Sequence, residues 1–165
     1  MRRVIVGVMG PGAGATPENL TAAYDLGKAI AQAGWVLLTG GRAAGVMAAA
    51  SQGAKAAGGL TVGILPGKDH QGLADSIDIA ICTDLGNGRN NVNVLSADVV
   101  VAVGLGLGTV SEIALALKNN KPVILWQPTP TAQTFFEELA PGQFSVVTNI
   151  PEAIAQITAL IHNPT

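Results

Sequence analysis

The sequence predicts one α/β domain over residues 1–165, a doubly wound and mostly parallel sheet of about seven strands flanked by helices. Three observations predict it. Short runs rich in Val and Ile alternate with Ala- and Leu-rich segments of helical period, as repeated βα units require. Most of these runs lack polar alternation, so burial on both faces is expected, the mark of a parallel sheet. Glycine-rich segments stand where a strand must turn into a helix.

In chain order, strands are expected at 3–9, 35–39, 61–65, 78–82, 98–103, 122–126 and 144–147. Helices are expected at 17–33, 44–57, 90–96, 110–119, 132–139 and 151–162. The first helix opens on Thr16-Pro17-Glu18, which supplies an N-cap, a proline whose missing N–H costs nothing, and an acid at the positive helix end. Gly34 ends it, and Asn149 to Glu152 opens the last helix. No linker, low-complexity stretch or charge run divides the chain. In such a Rossmann-like sheet, ligands bind beyond the carboxyl ends of the strands.

Composition narrows the function. The 165 residues are 48% hydrophobic and only 12% charged, against a usual charged share of about 25%. A sparsely charged surface is expected to be covered partly by another subunit, so a homo-oligomer is anticipated, a dimer or a tetramer. A net charge of -2 with no basic block argues against nucleic acid, and no apolar run reaches the roughly 18 residues of a membrane helix. The start, Met1-Arg2-Arg3-Val4-Ile5-Val6-Gly7, superficially resembles a signal peptide, but Gly7, Gly10, Pro11, Gly12 and Gly14 interrupt it, and a first core strand is the better reading. The single cysteine, Cys82, excludes an internal disulfide and fits a reducing, cytoplasmic compartment. Its place in an apolar run predicts a buried, inert thiol.

Four loops should converge on one edge of the sheet: Gly10-Pro11-Gly12-Ala13-Gly14, Gly40-Gly41-Arg42-Ala43-Ala44-Gly45, Gly86-Asn87-Gly88-Arg89-Asn90-Asn91 and Gly104-Leu105-Gly106-Leu107-Gly108-Thr109. The first is close to the dinucleotide fingerprint G-x-G-x-x-G/A. That fingerprint also wants an acid about 20 residues on, and no Asp or Glu occurs between Asp25 and Asp69, so NAD is disfavoured. Arg42 stands where it would meet a 2′-phosphate, which leaves NADP open.

The fourth loop carries the sharper signal. Gly106 and Gly108 let the backbone approach a ligand, and free N–H groups at a helix start favour an anion. The Gly-Lys-Ser/Thr ending of a Walker loop is absent. Thr109-x-x-Glu112 has capping-box spacing, and from spacing alone that reading outweighs a catalytic one. Arg42 and Arg89 stand out among nine cations because both lie in glycine-rich loops at the expected binding edge, where a guanidinium can grip phosphate with paired hydrogen bonds. His70 and His162 are the only histidines, too few for a histidine metal site or a triad, and no metal site is expected. Catalysis, if present, must run on carboxylate and arginine.

With these residues assembled, the chain resembles the Lonely Guy (LOG)-like, or SLOG, Rossmann superfamily over residues 4–126. The resemblance rests on Gly40-Gly41-Arg42-x-x-Gly45-Val46-Met47, Gly67 after Pro66, Arg89-Asn90, and Gly106-x-Gly108-Thr109-x-x-Glu112. It implies one of two activities. The phosphoribohydrolase branch, which frees a base from nucleoside 5′-monophosphates such as AMP or cytokinin riboside monophosphates, uses a Pro-Gly-Gly-x-Gly-Thr-x-x-Glu loop and an upstream Arg-Lys pair. It would give Glu112 and Arg89 catalytic roles and leave phosphate to the amides of 108–111. Here Gly104 replaces the proline, Leu105 the first glycine and Asn90 the lysine.

The run Gly88-Arg89-Asn90, Ser96-Ala97-Asp98 and Thr109-Val110-Ser111-Glu112-Ile113-Ala114-Leu115-Ala116-Leu117 is similar to the other branch, the molybdenum cofactor carrier proteins. That branch implies a protein that holds and protects a phosphorylated pterin, the molybdenum cofactor, without turnover, and whose partners are molybdoenzymes or cofactor-biosynthesis proteins. The carrier is the preferred reading, with the hydrolase and a nucleotide-sensing module as alternatives. The expected ligand-binding set is Gly10, Gly12, Gly41, Arg42, Gly45, Arg89, Asn90, Gly106, Gly108, Thr109, Ser111 and Glu112.

Overall fold

Each apolar run of the sequence forms a strand, and the strands lie parallel in one seven-stranded sheet in a computed structural model that describes residues 2–162. The chain runs β1 (Ile5–Met9), α1 (Pro17–Gln32), β2 (Val36–Thr39), α2 (Gly45–Ala56), β3 (Thr61–Leu65) and β4 (Ile79–Cys82). After a 3₁₀ turn at Gly86–Gly88 it continues with α3 (Arg89–Ser96), β5 (Val99–Val103), α4 (Leu107–Lys118), β6 (Val123–Trp126), α5 (Pro130–Leu139), β7 (Phe144–Val147) and α6 (Ile150–His162).

The strand order β4-β3-β2-β1-β5-β6-β7 makes the sheet doubly wound. From β1 the chain steps outward through β2, β3 and β4, then returns to lay β5 on the other side of β1. The loops leaving β1 and β5 therefore diverge, and a crevice opens between them.

Side-chain alternation splits the core into two layers. Val6, Val8, Leu37, Val99, Val101 and Ile124 face α1, α2 and α6 through Leu26, Ile30, Ala50 and Ile157. Met9, Leu38, Val100, Ala102 and Leu125 face α3, α4 and α5 through Val94, Ile113, Ala116 and Phe136. All of β5 is buried, as its unbroken Val/Ala sequence requires.

Four expected strands begin one residue late, and two of these start directly after an aspartate. The carboxylate of Asp98 accepts the backbone N–H of Ile5 at 2.8 Å, and that of Asp78 accepts the N–H of Thr61 at 3.0 Å. Each carboxylate thus caps the first amide of the neighbouring strand, while the aspartate's own N–H donates back to the carbonyl of the same residue, Asp98 to Ile5 at 2.8 Å and Asp78 to Thr61 at 3.2 Å.

Burial on both faces fails at the edge. In β4 Ile79 and Ile81 are exposed, and so is Cys82, which corrects the expectation of a buried thiol. β4 has a single neighbour, and a hydrophobic run alone does not tell an edge strand from a central one.

The helices α1 and α2 touch backbone to backbone. A Cβ added at Gly27 would strike the carbonyl of Ala50, and one at Gly53 the carbonyl of Tyr24. This contact fixes where α1 begins and hence where the loop after β1 lies. Overpacking a closed contact costs about 1–3 kcal/mol, so Gly27→Val is expected to lower Tm by roughly 3–10 °C. Gly14→Ala, whose new methyl group meets nothing within 4 Å, should shift Tm by less than about 2 °C. Thermal denaturation followed by circular dichroism checks both, and an unchanged Tm for Gly27→Val contradicts the packing account.

Candidate functional site

The crevice between the loops of β1 and β5 is a cleft of about 300 Å³. Gly10, Pro11, Gly12 and Gly14 form one wall, Gly40 and Met47 a second, Arg89 and Asn90 a third, and residues 105–109 with Glu112 a fourth. All four glycine-rich loops thus contribute to it.

The loop after β5 and the start of α4 differ from the expectation in a way that matters. The helix begins at Leu107 with extended Gly106 as its N-cap, three residues before the expected start. Thr109 is therefore inside the first turn and cannot be the N-cap, so the capping-box reading of Thr109 and Glu112 is overturned. The Thr109 hydroxyl is 2% exposed and has no hydrogen-bond partner among the described residues. With no side chain capping this helix, its first-turn N–H groups also stand without a side-chain acceptor. A buried hydroxyl and a bare helix N-terminus thus present unmet donors at the same wall.

Glu112 is 7% exposed and accepts a hydrogen bond from Asn93 Nδ2 at 2.8 Å. Burial holds its carboxyl above the ordinary carboxylate range, opposed by the Asn93 hydrogen bond and by the charge of Arg89. Asn93, fully buried, is the site residue that the sequence reading passed over. It lies four residues after Arg89 on α3 and so on the same helical face, the one pattern that points to it.

Arg89 opens α3 and is partly buried. Its Nη1 donates to the carbonyls of Gly40 at 2.6 Å and Ile64 at 2.5 Å, so part of its donor fork is committed to the protein. Burial disfavours the cation, Glu112 favours it and Arg42 repels it. Gly40 is glycine because any Cβ there would strike the guanidinium of Arg89.

The remaining expected residues take other places. Gly41 packs its α-carbon against Gly63 of β3, and a Cβ at Gly45 would strike the carbonyls of Pro11 and Gly12. These glycines dock the second loop on its neighbours. Asn90 lines the cleft, and its Nδ2 donates to the Ser111 hydroxyl at 2.8 Å. Ser111 in turn donates to the Gly108 carbonyl at 2.7 Å, tying α3 to the start of α4 from outside the cleft lining. Arg42 is exposed and outside the lining, because its loop pairs with the 72–74 segment: Ala43 N–H donates to Gly72 at 2.8 Å, and Ala74 N–H to Gly41 at 2.9 Å. Among the described residues no three His, Cys, Asp or Glu side chains are grouped to hold a metal ion, and no helix is long and apolar enough to cross a membrane.

A doubly wound sheet with its cleft at the switch point and Gly-x-Gly-Thr-x-x-Glu on one wall defines a Rossmann-like domain of the LOG-like kind. The chain belongs to the SLOG cluster4 family, whose model matches residues 3–154. The molybdenum cofactor binding protein of Rippkaea orientalis is 56% identical, with a TM-score of 0.96 over 98% of this chain and 99% of that one. The molybdenum cofactor carrier protein of Chlamydomonas reinhardtii is 48% identical, with a TM-score of 0.93 over 98% of this chain and all of that one. The cytokinin riboside 5′-monophosphate phosphoribohydrolase of Mycobacterium tuberculosis is 33% identical over 67% of this chain and 64% of its own length.

The state of Glu112 yields a stability prediction. A carboxyl whose pKa is raised by folding contributes stability below its unfolded value and loses it as the pH climbs through the folded value. Glu112→Gln keeps an acceptor for Asn93 without the charge. Its Tm is expected to exceed that of the parent near neutral pH, with the gap closing as the pH falls below about 4. Melting curves across the acid range test this, and a gap that widens on acidification contradicts it. Thr109→Val removes a buried hydroxyl that has no partner, worth about 1 kcal/mol, and should raise Tm by roughly 2–4 °C in the ligand-free protein. A fall in Tm shows instead that the hydroxyl is satisfied within the fold.

Proposed function

We propose that this protein binds and carries the molybdenum cofactor, holding a phosphorylated pterin for delivery. The observation that carries the reading is the unpartnered Thr109 hydroxyl beside the uncapped start of α4, inside a cleft that also contains Arg89. A terminal phosphate supplies the acceptors these donors lack and the negative charge that Arg89, half-withdrawn from water, requires. The identity and full-length coverage shared with carrier proteins support the choice of cofactor. Asn90 and Leu105, standing where the hydrolase motif has lysine and glycine, favour storage over turnover.

In this reading the cofactor is cargo. Gly10, Gly12, Gly106 and Gly108 keep the walls free of side chains, the α4 amides and Thr109 hold the phosphate, and Asn90 sets the start of α4 through Ser111. Arg42, whose charge acts on Arg89, adds positive field from outside the lining, and Gly41 and Gly45 hold the second loop in place. Exposed Phe135, Leu139, Leu95 and Leu107, the last 94% exposed, support assembly into a homo-oligomer. A cytoplasmic location and transfer to molybdoenzymes or cofactor-biosynthesis proteins belong to the same proposal.

Glu112 and Arg89 favour a second reading, a nucleoside-monophosphate phosphoribohydrolase. A buried carboxyl with a raised pKa beside a cation is the kind of group that handles protons. The carrier account expects no free base from AMP or cytokinin riboside monophosphates on chromatography. Base release that disappears in Glu112→Ala would establish the hydrolase instead.

The direct test loads purified protein with molybdopterin, removes excess by gel filtration and reads the oxidised pterin by fluorescence. The expected result is retained pterin near one per chain, reduced about ten-fold or more in Thr109→Val, since a hydrogen bond to a charged group is worth about 1.5–3 kcal/mol. Retention no greater than that of a control protein overturns the proposal.

A further inference from the structure

A second cleft, of about 280 Å³, lies over the ends of β5 and β6. Its lining is mainly apolar and includes Trp126, Pro128, Phe136 and Leu105. No Lys, Arg, His, Asp or Glu lines it, so a charged group would enter without a counter-charge. It meets the anion cleft at Leu105 and Gly14, which line both. Gly14 has no side chain at this shared border, and a Cβ there would meet nothing within 4 Å.

Thr16, Asn19, Gln127 and Thr129 supply its polar lining, and two of these are amides. Asn19 Oδ1 accepts the N–H of Thr16 at 3.2 Å, while its Nδ2 has no hydrogen bond among the described residues. Gln127 Nε2 donates to the Thr148 carbonyl at 2.6 Å, which leaves Oε1 as an acceptor. Gln127 also sits in the left-handed region at φ 41°, a conformation that a non-glycine residue holds only under tertiary constraint. A donor and an acceptor beside the aromatic rings of Trp126 and Phe136 suit a planar heterocycle whose edge carries one acceptor and one N–H.

We propose that this second cleft is the ring compartment of the ligand site. It takes an uncharged, planar, amide-edged heteroaromatic ring while the α4 cleft takes the anionic end. The assignment rests on the carrier reading for its ligand, a pterin joined to a phosphate. It makes Trp126 the stacking wall, with Asn19 and Gln127 reading the ring edge. The ligand lies across the switch point, spanning the border that Gly14 and Leu105 form between the two clefts.

The test uses neutral 6-hydroxymethylpterin and inorganic phosphate as separate probes, in a Trp35→Phe background that leaves Trp126 as the one tryptophan of the two in the chain. The pterin is expected to quench Trp126 fluorescence saturably, and phosphate to leave it unchanged while raising Tm. Ala132→Leu fills the compartment from the first turn of α5 and should weaken the pterin about ten-fold or more. Asn19→Asp keeps the acceptor for Thr16, so α1 stays capped, and replaces the donor with an acceptor. It should weaken the pterin similarly, and neither change should alter the phosphate-induced rise in Tm. Absence of saturable quenching, or pterin affinity unchanged in both variants, overturns the compartment. If the intact cofactor is still retained in that case, the carrier reading survives and only the ring assignment falls. Pterin bound at Trp126 without retention of the cofactor supports the compartment and removes the carrier reading.

Discussion

The guanidinium of Arg89 fastens the start of α3 to the ends of two strands. Nη1 donates to the carbonyl of Gly40, just beyond β2, and to that of Ile64 in β3, at 2.6 and 2.5 Å. Buried carbonyls at strand ends need donors, and a charged donor shared between two of them fixes both. The contact dictates glycine at position 40, orders the third loop and brings a cation into the cleft from below. It also sets the orientation of α3, which carries Asn93 to Glu112 and Asn90 to Ser111. The positions of two cleft walls follow from that one side chain.

The opposite wall is organised by omission. Gly106 leaves the N-terminus of α4 without a side-chain cap, and Thr109 is buried without a partner. Each omission costs folding energy, and the two are adjacent on one cleft surface. Donors left unmet together, on a cleft that partly buried Arg89 also lines, are the groups that the proposed phosphate would satisfy. Glu112 fits the same picture: burial raises its pKa, and a site that is to receive phosphate gains from a carboxyl that ionises reluctantly.

Much of this was legible in the sequence. Val/Ile runs separated by helical periods marked each strand, because burial in a parallel sheet admits little else. The loops that form the cleft were legible from their glycines and their place between strand and helix. Four features were not. The exposure of Cys82 depends on β4 lying at the sheet edge, a property of strand order and not of β4 itself. The start of α4 depends on Gly106 taking an extended conformation as N-cap, where local spacing favoured Thr109. Arg42 stands outside the cleft because its loop pairs with residues some thirty positions on, as the Arg42–Leu73 bridge shows. Asn93 was hidden among neighbouring asparagines, although its spacing from Arg89 placed it on the same face.

In the proposed carrier, the unmet donors of the α4 cleft exist for a phosphorylated pterin. Native mass spectrometry of the protein isolated from a host that makes molybdenum cofactor tests this most directly. The account predicts a bound mass that matches molybdopterin or the full cofactor and disappears in Thr109→Val. A nucleoside monophosphate in its place, or protein of bare mass from a cofactor-replete host, would contradict it.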